Sequence, residues 1–80
     1  MSNMETYVNT FVECFEITKE EARTLTYQAV NAWDSVGHMD LIATLEDAFD
    51  IMMETDDIID FNSFEKGIEL LKKYGVDMEM

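Results

Sequence analysis

The sequence predicts an all-α protein, a small four-helix bundle with a long first loop and a short third helix. Three observations carry that expectation. Apolar residues recur at helical spacing, while the alternation a half-buried strand would need is weak. Pro is absent, and the three Gly fall at Gly37, Gly67 and Gly75, leaving long stretches free of helix breakers. Hydroxyl and amide residues stand just ahead of the periodic segments, where helices are capped.

Eighty residues support one domain, 1–80, with one modest core. A hydrophobic fraction of 48% is enough to fold such a chain despite a formal net charge of −13. Five Phe, three Tyr and one Trp supply the large buried surfaces.

The first helix is expected over Asn3–Phe15, where Met4, Val8, Phe11, Val12 and Phe15 form one stripe. Cys14 lies beside that stripe, which favours a covered thiol over a reactive one. A long connection, 16–34, follows. Thr18 and Glu21 form a capping-box pattern, so a short helical turn is expected inside it. Leu25, Tyr27, Val30 and Trp33 would pin the remainder to the bundle.

The second helix is expected over 36–50. At roughly 100° per residue, Leu41, Ile42, Leu45, Ala48, Phe49 and Met52 share a core side. The opposite side gathers Val36, Met39, Asp40, Ala43, Glu46, Asp47 and Asp50, a mixture of small apolar contacts and carboxylates that suits docking. Isolated surface apolar residues are common, so a merely solvated face stays open. Thr55 is placed as the cap of a short third helix, 56–60, with Ile58, Ile59 and Phe61 turned inward. Asn62 and Glu65 form a second capping-box pattern. The last helix, 63–74, packs Phe64, Ile68, Leu70 and Leu71 inward; Lys72 and Lys73 suit its C-terminal end and Gly75 a left-handed stop. The tail 76–80 is expected to fray.

Charge bounds the partners. From Thr24 through Glu65 there is no Lys or Arg. So negative a surface repels nucleic acid and anionic lipid and favours basic protein patches, although acidity also serves solubility alone. No apolar run reaches membrane-spanning length, no secretion signal opens the chain, and Cys14 is the single Cys. A cytoplasmic monomer that does not insert into membranes is the expectation.

Ser35 is the candidate site. Trp33-Asp34-Ser35-Val36 places its hydroxyl at the positive end of a helix dipole. Catalysis is the weakest reading: a nucleophile elbow needs Gly two residues either side of the Ser, and here Trp33 and Gly37 hold those places. No orienting acid or oxyanion hole is evident, so the protein is not expected to be an enzyme. A structural helix cap is the ordinary role for such a Ser; phosphorylation and attachment of a prosthetic group remain open. His38 reads as a partly buried spacer near Ser35, not a metal ligand or general base, for there is no second His. The acidic stretch 56–65 fails the calcium-loop template, because Ile58 and Phe64 fall at ligand positions and Gly is missing from the turn.

Nearly the whole chain resembles the acyl carrier proteins, small helical carriers that bear phosphopantetheine. The resemblance rests on Asp34-Ser35-Val36, a variant of that family's Asp-Ser-Leu, on the segment from Leu41 through Ile51, and on the short third helix ahead of a closing apolar one. It implies that Ser35 receives 4′-phosphopantetheine from coenzyme A through a separate phosphopantetheinyl transferase, the arm's thiol then holding an acyl group as a thioester. It implies docking through Asp34, Val36, Met39, Asp40, Ala43, Glu46 and Asp47 to basic patches on acyl-transferring and acyl-processing enzymes of fatty-acid, lipid or secondary-metabolite synthesis. Gly37 departs from the pattern, standing where many members have an acidic residue. Met52, Met53 and the Phe-rich interior are expected to accommodate cargo. An aminoacyl or peptidyl carrier is the alternative within the class, and an acidic helical adaptor without a prosthetic group is the alternative outside it.

Overall fold

The computed structural model describes residues 2–78, and within them the protein is all-helical. Five helices follow in order: α1 (Asn3–Phe15), α2 (Lys19–Arg23), α3 (Ser35–Phe49), α4 (Thr55–Asp60) and α5 (Phe64–Lys73). Helix α1 packs against α3 and α2, and α2 against α5.

Helix α1 has the bounds its apolar stripe predicts, capped by the Ser2 side chain on the Glu5 N–H. Phe11 and Phe15 meet Trp33 at ring-centroid distances of 5.5 and 5.3 Å. Tyr7, fully buried, is a core residue the stripe omits. Its hydroxyl donates to the Phe64 carbonyl at 2.7 Å, which satisfies the one polar atom a buried Tyr brings. Burial pushes its phenol well above the ordinary range. The Thr18–Glu21 capping box forms in full and starts α2. Cys14 is half-buried; burial first, then the Asp40 charge, raises its thiol's pKa, as suits an inert core-edge thiol.

The long connection is tied to the start of α5 through residues 25–27. Phe64 N–H donates to the Leu25 carbonyl and Tyr27 N–H to the Asn62 carbonyl, at 2.9 and 2.8 Å, flanking an isolated antiparallel bridge between Thr26 and Ser63. The loop thereby takes up one of the N–H groups that α5 leaves unpaired at its start. Leu25 and Trp33 are buried, and Tyr27 and Val30 pack on the core edge.

Several expectations need correction. Asp50 adopts the left-handed conformation (φ 54°) and ends α3, so the helical stripe does not run on to Met52. Met52 is 86% exposed, Met53 takes the buried place, and Ala48 is exposed. Thr55 is the first residue of α4 and not its cap; Glu54 holds that position without a side-chain hydrogen bond. Of the α4 residues predicted inward, Ile59 is 71% exposed. Helix α5 is capped by Ser63 on the Lys66 N–H, so the Asn62–Glu65 capping box is not the one used. The tail also departs from expectation. Val76 and Met78 are buried, and the Asn3 amide donates to the Asp77 carbonyl at 2.9 Å; the rest of the predicted frayed tail lies outside the described residues.

That tail can dock because α5 ends in a Schellman stop. Gly75 (φ 84°) donates to the Lys72 carbonyl and Val76 to the Leu71 carbonyl. Gly67 serves close packing instead, since a Cβ there would collide with the Tyr7 hydroxyl and the Phe61 ring. Only a bare backbone lets α5 approach that pair.

Helix α4, a six-residue element, is held chiefly through Asp57. Its carboxylate accepts from the Lys73 ammonium at 2.9 and 3.0 Å and from the Tyr74 hydroxyl, which itself accepts the Glu54 N–H. The Tyr74 hydroxyl first, then Lys73, holds the Asp57 carboxyl below the ordinary carboxylate range. A lowered folded-state pKa contributes stability above the unfolded value, about 3.9, and that contribution is lost as pH falls through the lower folded value. The stability gap between the native chain and Asp57→Asn, followed by urea unfolding, is therefore expected to hold near neutrality and to close below about pH 4. A gap that widens in acid would show that Asp57 does not act as a buried, paired carboxylate.

Candidate functional site

Helix α3 begins with a division of labour between neighbours. Asp34 is the cap: its backbone is extended (φ −105°, ψ −167°), its Oδ1 accepts the Gly37 N–H at 2.9 Å, and its carbonyl accepts the His38 N–H at 2.7 Å. Ser35 is the first helical residue and does not cap. Its side chain is exposed, and among the described residues its Oγ has one hydrogen-bonding neighbour, the Tyr27 hydroxyl at 3.4 Å. The ordinary structural role for a Ser in this place is thus already filled by the residue before it.

His38, three residues on, is not available to activate Ser35. Trp33 Nε1–H donates to His38 Nδ1 at 3.0 Å, which makes Nδ1 an acceptor and places the ring proton on Nε2. Nε2 then donates to the Ile58 carbonyl at 2.8 Å. Both ring nitrogens are committed, one to the loop and one to α4. The imidazole stacks on Trp33 (6.1 Å, 21°) and meets Tyr27 and Phe61 edge-on at 5.6 and 6.0 Å. It is half-buried, as a spacer near Ser35 should be, and it also bolts three segments together.

Over this aromatic floor lies a groove of about 310 Å³, bounded by Tyr27, Ser35, His38, Met39, Ile58, Ile59, Phe61 and Asn62. That is the lower end of the size range of small-molecule sites. Ser35 stands at its edge, and the exposed side chains of Met39 and Ile59 form part of its walls. The contribution of α4 is not visible in the sequence, where Ile58 and Ile59 both read as core. Adjacent residues of a helix point about 100° apart, so one of such a pair has to face elsewhere.

The outward face of α3 carries the other candidate residues. Asp34, Met39, Asp40, Ala43 and Asp47 are exposed, and Val36 is 80% exposed. Glu46 is half-buried, and its Oε2 accepts the Met53 N–H at 2.8 Å. It therefore holds the loop after α3 in addition to adding charge. Among the described residues no three His, Cys, Asp or Glu side chains gather as a metal ion would need, and no helix is long and apolar enough to cross a membrane.

Gly37 has a steric cause. A Cβ at this position would run into the Ala32 carbonyl oxygen, a backbone atom that cannot swing aside. The loop before α3 folds so closely over its first turn that a side chain is excluded.

No protein-family model matches this chain, and no curated protein and no solved structure gives a match.

The close approach at Gly37 yields a prediction of sign. Replacing a helical Gly by Ala ordinarily gains about 1 kcal/mol, whereas overpacking a tight contact costs about 1–3 kcal/mol. Gly37→Ala is expected to lower the melting temperature and to shift Trp33 fluorescence, because the displaced stretch of loop carries that ring. A more stable Gly37→Ala protein would mean that Ala32 does not press on α3.

Proposed function

We propose that the protein is a carrier: Ser35 bears a 4′-phosphopantetheine arm, and acyl groups ride on that arm as thioesters between partner enzymes. The observation that supports it most is the Ser35 hydroxyl itself. It is presented at a helix N-terminus, relieved of capping by Asp34 and placed at the edge of an apolar groove. A hydroxyl kept only for the fold would be expected to take the cap, and a catalytic one would be expected to have a base. Here the nearby His38 has both nitrogens bonded elsewhere.

The arrangement fits the group it would hold. In loading, Ser35 Oγ forms a bond to the pantetheine-side phosphorus of coenzyme A. The pyrophosphate P–O bond breaks, adenosine 3′,5′-bisphosphate leaves and the hydroxyl proton passes to the transferase's base. When bound, the arm supplies a thiol on a long flexible tether, which raises the local concentration of its cargo at each enzyme visited. The groove beside Ser35 offers shelter to apolar atoms close to the attachment point, worth about 0.8 kcal/mol per buried CH₂.

The outer face of α3 supplies the docking reading. Val36 and Met39 stand as exposed apolar contacts among Asp34, Asp40 and Asp47. Charge of one sign speeds encounter with basic partners, while a small interface allows rapid release. An all-helical chain with a long connection between α2 and α3 and a short α4 supports the acyl-carrier reading, with α2 a fifth helix beyond the four that reading expects. These features support a carrier that docks through α3, and we take it to be cytoplasmic and monomeric and to catalyse nothing itself.

Incubation with coenzyme A and a broad-specificity phosphopantetheinyl transferase tests it by intact mass. The native chain is expected to gain the prosthetic group and Ser35→Ala to gain nothing. An unmodified native chain would favour the acidic adaptor that works without an arm.

A further inference from the structure

We infer that Tyr27 is a binding residue for the phosphate of the arm, its hydroxyl donating to a phosphoryl oxygen carried on Ser35. The inference rests on the carrier reading and adds a residue to it that lies outside the Asp34-Ser35-Val36 segment.

A phosphodiester on Ser35 would be favoured by the positive end of the α3 dipole but opposed by the charge around it. It would stand beside the Asp34 carboxylate, on a chain of net charge −13, in a stretch from Thr24 to Glu65 that holds no Lys or Arg. Neutral donors must stabilise it instead. The N–H of Gly37, third in the helix, is taken by Asp34. The side-chain hydroxyl placed at Ser35 Oγ is that of Tyr27, 3.4 Å away, and a phenol hydroxyl is able to donate. That separation is long for an O–H···O bond. A phosphoryl group carried on Oγ would offer that hydroxyl further acceptor oxygens.

The position of this hydroxyl is well determined. The Tyr27 N–H is bonded to the Asn62 carbonyl at 2.8 Å, and its ring is held edge-on against Trp33 at 6.0 Å and His38 at 5.6 Å. Ring and backbone serve the fold. The hydroxyl, at the edge of the groove that Ser35 shares, is the part those contacts do not explain. Phe in its place would keep every packing contact and lose the donor.

Four proteins test the inference: the native chain and Tyr27→Phe, each in the apo and the phosphopantetheinylated form. Tyr27→Phe should leave the apo melting temperature nearly unchanged. It should lower that of the loaded form by about 4–8 °C, the change a single hydrogen bond makes in a domain of this size. The phosphorus NMR shift of the loaded protein should also move between native and Tyr27→Phe. Equal melting changes in apo and loaded forms, with an unchanged phosphorus shift, would overturn the role of Tyr27 while leaving the carrier reading intact. Failure of the native chain to load at all would overturn both.

Discussion

The hydrogen bond from Gly37 N–H to the Asp34 side chain is the interaction on which the candidate site depends. A helix needs a cap, and Ser and Asp are both good ones. With the two adjacent, whichever takes the cap decides what the other can do. Asp34 is set back in extended backbone and closes the first turn, so Ser35 enters the helix as its first residue with its hydroxyl outward. The Ala32 carbonyl over Gly37 reinforces this choice, because the loop it fixes leads straight into Asp34.

The second constraint is the relay from Trp33 through His38 to Ile58. Trp33 is fully buried among Phe11, Phe15 and Phe61, so its indole N–H needs a partner inside the protein. His38 supplies one and passes the connection to α4, which has six residues and needs anchoring from outside itself. Asp57, Lys73 and Tyr74 hold that helix to the end of α5. The groove lies beside the first of these attachments, at His38 and Ile58, its floor aromatic and its walls drawn from the loop, α3 and α4. Its shape therefore follows from how buried polar atoms of the core are satisfied.

Much of this is legible in the residues alone, for identifiable reasons. The bounds of α1 follow from a stripe of large apolar residues, and α2 follows from a capping box whose members lie three residues apart. Those two local signals survive folding, whereas the Asn62–Glu65 box of the same spacing yields to Ser63 as the cap of α5. What the sequence does not reveal depends on contacts between distant segments. Tyr7 falls outside the stripe although it is one turn before Phe11, and its burial requires the gap at Gly67. Met53 and not Met52 is buried because Asp50 turns left-handed, a backbone event that periodicity does not register. Val76 and Met78 are buried because the stop at Gly75 turns the chain back. For the site, Ser35 and the exposed face of α3 can be read from one helix alone. The groove cannot, since Tyr27, Ile58 and Asn62 reach it only through the Thr26–Ser63 bridge and the His38 relay.

The division of labour at the start of α3 is most directly measured by comparing the unfolding free energies of Asp34→Ala and Ser35→Ala in the unloaded protein. Loss of a working cap costs about 0.5–2 kcal/mol, whereas an exposed residue away from any such role changes stability by about 0.5 kcal/mol or less. Asp34→Ala is expected in the first range and Ser35→Ala in the second. If Ser35→Ala proved the more destabilising of the two, the hydroxyl would belong to the fold, and its release for a prosthetic arm would be contradicted.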